Sequence, residues 1–384
     1  MFECSDAKKK REYKSETMKW QAKFVFGWTV VLHCLWMSCE ASTKQSERSA
    51  LILFYNATNG PHWKNTPWPI TDSGADYCSG WNGVRCNAQG RLQRLSLGYE
   101  DLIGAFPNEA FAEFEQLEEL DLAGNKLSGT VSSNLCASGA YLRKLNLNHN
   151  LLVGPLPSCV SSWTSLTEFK VTGNSFSGSL DSKWGSSWQS LREFSIDSNS
   201  FSGTLPESFS HWTNLTTFVI ELNDLTGTVP DAYGRSWTQV TVVSLSWNYL
   251  TGTLPPSFSN AKNMKEFVFY RNDFASTLPP EYGSWGSTMI HFEGSNNPKL
   301  HGSFPSSYGA WTGMEVFKFT ECALTGSIPP EYHTWHNVAN FSVWKNNING
   351  TLPSSFSNWK NIQDLTPATT SLKVHCPRNG RLGA

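Results

Sequence analysis

The sequence predicts an α/β solenoid, in which short repeats stack and each repeat adds one strand to a continuous parallel sheet. Apolar residues recur in the pattern L-x-x-L-x-L-x-x-N-x-L-x-G-x-[LIVF]-P, whose first position returns every 24 or 25 residues. That position is occupied by Leu92, Leu117, Leu142, Leu166, Leu191, Leu215, Val240, Met264, Met289, Met314, Val338 and Ile362. A constant period over most of a chain indicates stacked repeats, because one repeat cannot bury its apolar face alone.

The L-x-L unit of each repeat predicts a short strand. Pairs such as Leu145/Leu147 and Phe218/Ile220 alternate with other residues, which places one face of the strand in the core and the other in solvent. A fixed Asn follows the strand, where the chain turns inward and backbone groups need partners. An Asn side chain donates and accepts, so stacked Asn residues are expected to form a ladder. The ladder positions are Asn125, Asn150, Asn174, Asn199, Asn223, Asn248, Asn272, Asn297 and Asn346, and Cys322 takes the same position in one repeat.

The ninth repeat departs from the pattern. Pro298 adds a residue, and Gly294 stands where an apolar strand residue is expected. We expect a local bulge at this point.

Tryptophan recurs in register with the repeats. Trp163, Trp188, Trp212, Trp237, Trp311, Trp335 and Trp359 each precede the first apolar position by three residues, and Trp285 precedes it by four. Exposed Trp rows can bind carbohydrate, but repetition in register favours a packing column beneath the convex side.

Composition and charge narrow the class of function. Charged residues make up 16% of the chain and the formal net charge is -2, which gives no basic footprint for nucleic acid. An apolar fraction of 39% is sufficient for a core and excludes global disorder.

The N-terminus has the features of a signal peptide. A basic leader precedes an apolar run from Phe24 to Met37, and small residues before position 42 place cleavage after Ala41. Alternatives are a retained signal anchor and a start at Met18. We therefore divide the chain into a signal peptide (1–41), an N-terminal cap (42–91), repeats (92–365) and a C-terminal cap or stalk (366–384), and expect it to be secreted or on the cell surface.

Cysteines and sequons agree with export. The cap should contain a helix from Ser46 or Glu47 to Tyr55 and a Cys78–Cys86 disulfide. Cys136 and Cys159 are 23 residues apart, nearly one repeat, so stacking at about 4.8 Å permits a second disulfide. Cys322 is expected to be free and buried. N-glycosylation sequons begin at Asn56, Asn214, Asn340 and Asn349.

These motifs carry a family resemblance. Trp81-Asn-Gly-Val-Arg-Cys86 followed by the repeats resembles the plant-type extracellular leucine-rich-repeat class, which includes receptor-kinase ectodomains and polygalacturonase inhibitors. Repeat tails such as Leu278-Pro-Pro-Glu-Tyr are similar to the promastigote surface antigens of trypanosomatids, although the hydrophobic tail of a lipid-anchor signal is missing after Pro377. The resemblance implies a leucine-rich-repeat horseshoe of about 11–12 repeats, with its parallel sheet on the concave face.

Binding, rather than catalysis, is the expected function. No catalytic motif is present, and neither a cofactor nor a metal is expected. Glu119, Glu168, Glu193, Glu266 and Glu293 recur once per repeat, which favours a solvated row over a pair of catalytic carboxylates.

Aromatic and basic side chains on the concave face predict a ligand patch, because Trp, Tyr and Arg dominate binding hot spots. The predicted ligand-binding residues are Val219, Val242, Trp247, Val268, Tyr270, Arg271, Trp344 and Lys345. The ligand would be a protein, such as a host receptor, or a glycan. The alternatives are a shielding coat glycoprotein without a specific ligand and a secreted enzyme inhibitor.

Overall fold

The repeats build one long parallel sheet in a computed structural model that describes residues 43–65 and 67–366. The first strand, Val84–Cys86, pairs antiparallel with Leu92–Ser96. From Leu92–Ser96 onward, consecutive strands pair in parallel with unchanged register, as in Phe169 beside Phe194 and Phe194 beside Phe218. This main sheet has 13 strands in chain order: Val84–Cys86, Leu92–Ser96, Glu119–Asp121, Lys144–Asn146, Glu168–Lys170, Glu193–Ser195, Thr217–Val219, Val242–Ser244, Glu266–Val268, His291–Glu293, Val316–Lys318, Asn340–Ser342 and Asp364–Thr366. We call its solvent side the concave face. The fold is the expected leucine-rich-repeat solenoid.

Two smaller parallel sheets form from the repeat tails, which we did not predict. The first has eight strands: Ile103–Ala105, Lys126–Gly129, Leu151–Pro155, Ser175–Ser179, Ser200–Thr204, Asp224–Thr228, Tyr249–Gly252 and Asp273–Phe274. The second has three: His301–Gly302, Ala323–Gly326 and Asn347–Ile348.

The two tail sheets are interrupted between the eighth and ninth repeats, since Asp273–Phe274 is the last strand of the first and His301–Gly302 the first strand of the second. The main strand of the ninth repeat has no bulge. His291–Glu293 pairs regularly with both neighbouring strands. The extra residue is accommodated after the ladder Asn, around Pro298, and before the tail strand His301–Gly302. The irregularity expected around Gly294 and Pro298 therefore lies in the turn at Pro298, whereas the strand before Gly294 keeps its register.

Short helical turns return the chain on the opposite side from the main sheet. The α-helical segments are 43–57, Tyr77–Gly80, Asn108–Phe111, Lys183–Ser187 and Asp231–Ser236. The 3₁₀ segments are Gly60–His62, Ser133–Tyr141, Ser158–Ser162, Glu207–His211, Pro256–Asn260, Pro280–Thr288, Ser306–Ala310, Pro330–Thr334 and Ser354–Asn358.

The tryptophan column packs inside these turns, as expected. Trp212 is fully buried and its ring stacks on Phe209 with centroids 4.0 Å apart. Its indole N–H donates to the main-chain oxygen of Trp184 in the previous repeat at 3.3 Å. The same bond recurs from Trp285 to Phe258 and from Trp335 to Tyr308. The column therefore links repeats by hydrogen bonds as well as by apolar contact.

The N-terminal cap closes one end of the core. Its helix spans 43–57, beginning earlier and ending later than predicted. Glu47 is fully buried. Its carboxylate accepts hydrogen bonds from the Tyr77 hydroxyl at 2.8 Å, the Arg91 Nε at 2.7 Å and the Leu92 N–H at 3.0 Å. One buried carboxylate thus joins the cap helix to the first repeat.

Both expected disulfides form. They join Cys78 to Cys86 and Cys136 to Cys159, and Cys322 is a buried free thiol. The predicted signal peptide and Cys376 lie outside the described residues.

Candidate ligand-binding face

Ion pairs cover the N-terminal half of the concave face. Side chains from adjacent strands alternate in charge along this half, and the pairs are Arg94–Glu119 (2.6 Å), Lys144–Glu168 (2.5 Å) and Lys170–Glu193 (2.5 Å). The glutamates expected to form a solvated row are therefore neutralised here by the neighbouring repeat. Because this surface satisfies its own charges, it offers little unpaired charge to a ligand.

The middle of the face has small side chains on three consecutive strands. Val219 and Val242 are half-buried, as outward-facing strand residues should be. Val268 is only 1% exposed and Ser244 only 3%. Val268 was predicted as a contact residue, but its burial leaves no surface for a ligand in this structure.

A histidine and three glutamates border this small-residue floor. His291 contacts Glu266 at 3.5 Å and Glu293 at 3.2 Å. Burial alone lowers the pKa of His291, but its hydrogen bonds to both glutamates outweigh burial and raise the pKa to about 9. The imidazole is consequently cationic at neutral pH. We call Glu221, Glu266, His291 and Glu293 the central cluster.

Glu221 accepts a hydrogen bond from the Ser244 hydroxyl across the adjacent strand. Burial raises the pKa of Glu221 to about 7, and the negative charges of Asp197, Glu266 and Glu293 add to this effect. Its ionisation is therefore sensitive to any charge brought to this face near neutral pH.

An exposed aromatic groove lies beside the central cluster. Trp247 is 40% exposed and Tyr249 is 62% exposed. The Arg271 guanidinium carbon stands 3.9 Å from the centre of the Trp247 ring, in the geometry of a cation–π contact. With Leu222, these side chains line an open groove of about 470 Å³. We call it the aromatic groove.

Only part of the predicted patch comes together. Trp247 and Arg271 lie in the groove, and half-buried Tyr270 is close enough to both to be affected by them. Burial, followed by the charge of Glu221, raises the pKa of Tyr270. Trp344 and Lys345 form a separate cation–π pair at 4.3 Å, four repeats beyond Trp247.

Sequence reasoning missed four residues of this region: Leu222, Tyr249, Glu221 and His291. Leu222 directly precedes a ladder Asn and Tyr249 directly follows one, so the repeat register already placed both at the turn after the strand. The repeat register could therefore have identified both residues, because residues at the same position of successive repeats lie side by side along the solenoid.

The sequons lie at different depths. Asn56, Asn214 and Asn349 are exposed, whereas Asn340 is half-buried on a strand of the main sheet. A glycan at Asn340 would occupy the C-terminal part of the concave face. The aromatic groove contains no sequon.

No group of three or more His, Cys, Asp and Glu side chains in residues 43–65 and 67–366 has an arrangement suited to a metal ion. Over the same ranges, none of the helices has the length and apolar character that crossing a bilayer requires.

The repeats match the family model described as Leucine Rich Repeat at residues 116–138, 141–163, 190–212 and 239–261. The chain resembles plant leucine-rich-repeat receptor kinases of Arabidopsis thaliana. It is 38% identical to "Receptor-like protein kinase 7" over 92 residues, which are 23% of this chain and 9% of that kinase. It is 34% identical to a probably inactive leucine-rich repeat receptor-like kinase over 117 residues, which are 30% of this chain and 11% of the relative. The chain thus spans about a tenth of these relatives.

Solved structures share the fold. The Arabidopsis receptor kinase HAESA, in complex with the peptide hormone IDA and the co-receptor SERK1, superposes with a TM-score of 0.72 at 24% identity, covering 88% of this chain and 54% of HAESA. A plant ice-binding protein superposes with a TM-score of 0.58 at 19% identity, covering 84% of this chain and 96% of that protein. At such identities the likeness concerns the fold.

Proposed function

We propose that this chain is a secreted or surface-displayed recognition protein that binds a protein or peptide through its concave face, without a catalytic role. The observation that carries the proposal is the aromatic groove. Trp247, Tyr249 and Leu222 are exposed beside one another, although the fold leaves no need for large apolar side chains there. Contiguous exposed apolar surface in a stable protein marks an interaction site.

The relatives support a peptide or protein ligand. Two plant receptors with this fold were solved with a ligand: HAESA in complex with a peptide hormone, and the peptide hormone receptor RGFR1 in complex with RGF2. Those receptors share less than 25% identity with the chain, so the choice of ligand here rests on its own groove. The resemblance to promastigote surface antigens extends the proposal to display on a parasite surface and contact with a host receptor.

A shielding coat glycoprotein is the second candidate. Three exposed sequons favour it, since glycans at Asn56, Asn214 and Asn349 would cover other faces of the solenoid. The two candidates differ in the aromatic groove, which only a recognition protein needs.

The test compares binding of host cells, and of peptides selected from a random library, by the wild-type chain and the Trp247→Ala/Tyr249→Ala double variant. We expect the double variant to fold normally and to bind at least thirtyfold more weakly, as loss of hot-spot aromatics implies a cost of about 2 kcal/mol or more. Unchanged binding by a folded double variant would reject the groove and favour the coat.

A further inference from the structure

The central cluster differs in charge balance from the rest of the concave face. In the N-terminal half each glutamate pairs with Lys or Arg, whereas His291 is the only ion-pair partner that Glu266 and Glu293 have among the described residues. Glu221 forms no ion pair within that part of the chain, and Asp197 adds a further nearby negative charge. Carboxylates therefore exceed cations at this place, which favours a positively charged group in a ligand.

Two basic residues stand at adjoining positions but do not neutralise the cluster. Lys318 lies beside Glu293 in the sheet register, and Arg271 stacks on Trp247. Neither forms an ion pair with a cluster carboxylate among the described residues. Arg271 also shows that the Trp247 ring accepts a guanidinium group on its face.

A buried hydroxyl provides an independent sign of a missing partner. Ser246 is fully buried, and its Oγ has no hydrogen-bond partner in the described parts of the chain. Its main chain lies between two flanking repeats. The Ser246 main-chain oxygen accepts a hydrogen bond from the Leu222 N–H, and the N–H of the next residue, Trp247, donates to the main-chain oxygen of Tyr270. The repeat register places Ser246 between Glu221 and Tyr270, because each of the three directly follows the second apolar residue of its L-x-L unit. An unpaired buried hydroxyl is costly, and a ligand donor would satisfy it once the neighbouring side chains move aside on binding.

We propose that the central cluster binds the guanidinium or ammonium group of a basic side chain in the ligand. The ligand is thus a peptide or protein with an Arg or Lys that enters between Glu221 and Glu266, while its apolar neighbours occupy the aromatic groove. This inference rests on the proposed function and adds the chemistry of the ligand. Carboxylates supply charge-assisted hydrogen bonds, and Tyr270 supplies an adjacent aromatic ring.

The experiment selects random 12-residue peptides on the purified full chain and measures their affinities by calorimetry. We expect the selected peptides to share an Arg or Lys beside apolar residues. Replacing that basic residue by norleucine, and separately the Glu221→Gln/Glu266→Gln variant of the protein, should each weaken binding tenfold or more. Glu119→Gln, on the same sheet but paired with Arg94, is the matched control and should change affinity less than twofold.

Three outcomes distinguish failure of this inference from failure of the proposed function. Peptides that depend on Trp247 and Tyr249 but lack a shared basic residue would overturn the inference and leave the proposed function intact. Equal affinity of folded Glu221→Gln/Glu266→Gln and wild type for a basic peptide would also overturn it. Peptides whose binding ignores the aromatic groove would reject the proposed function itself. Circular dichroism of each variant checks the fold.

Discussion

The ladder asparagines connect consecutive repeats through both ends of one amide. The Asn199 Nδ2 donates to the main-chain oxygens of Val171 and Ile196, in the previous and in its own repeat. Its Oδ1 accepts from the Phe176 N–H. Each ladder Asn thus provides hydrogen-bond partners for main-chain N–H and C=O groups of the turns, which pairing between strands leaves without partners.

Replacing Asn199 by Ala should lower the free energy of unfolding by about 1–3 kcal/mol, because buried backbone groups lose their partners. Asn214→Ala is the control, since Asn214 is exposed and makes one long hydrogen bond of 3.4 Å. Urea unfolding of both variants measures the difference. A larger loss for Asn214→Ala would contradict the ladder register.

Gly294 directly follows a strand of the main sheet, at a position where the core leaves no room for a side chain. A Cβ added there would lie 2.4 Å from the Phe269 ring and 2.6 Å from the Phe319 ring. We expect Gly294→Ala to destabilise the chain by about 1–3 kcal/mol through overpacking. Gly129→Ala tests strain without contact, since Gly129 has a positive φ of 82° and nothing within 4 Å of its Cβ. Thermal midpoints of both variants, with near-ultraviolet circular dichroism, distinguish repacking from backbone strain.

At the scale of an element, the tryptophan column determines how the return turns attach to the sheet. Trp212→Ala should destabilise the solenoid by about 3–5 kcal/mol, as removal of a fully buried aromatic does. Trp247→Ala should change stability by much less, because that ring is 40% exposed. Denaturant titration followed by circular dichroism compares the two. Similar losses in both variants would mean that Trp247 also has a structural role.

The central cluster should make stability depend on pH. Both raised pKa values favour the protonated form in the folded chain, so their stabilisation is complete at low pH and is lost as pH rises. For Glu221 the loss spans the interval from 4.5 to about 7, and for His291 from 6.5 to about 9. Wild type should therefore lose more stability between pH 6.5 and 9 than His291→Gln does. Thermal melts of both proteins at several pH values test this. The same dependence of the melting temperature on pH in both proteins would contradict the pairing of His291 with Glu266 and Glu293.

At the scale of the whole molecule, the solenoid is a row of nearest-neighbour contacts with a closed N-terminal end. Glu47→Ala should leave the Tyr77 hydroxyl, the Arg91 guanidinium and the Leu92 N–H without their shared acceptor. We expect the first repeats to lose hydrogen-exchange protection while the central repeats keep theirs. Mass spectrometry after exchange localises the effect. Uniform loss of protection would show that the chain unfolds as one unit.

The sequence by itself determined the repeat period, the core positions, the Asn ladder, the tryptophan column and both disulfides. Apart from the Cys78–Cys86 disulfide, which was expected of an exported cap, each follows from a local rule applied at a fixed interval: alternation in a strand, a partner for each buried backbone group, and stacking of one repeat on the next. Positions with the same role recur in register, so a single sequence already shows them.

Only the tertiary structure decided which concave side chains are available. Whether Val268 is covered, Glu119 is paired and His291 stands between two glutamates depends on side chains contributed by neighbouring strands. Burial and electrostatics are properties of these three-dimensional neighbourhoods and vary from repeat to repeat. The two tail sheets likewise required stacking, because their short strands acquire partners only after the main sheet has placed the repeats side by side.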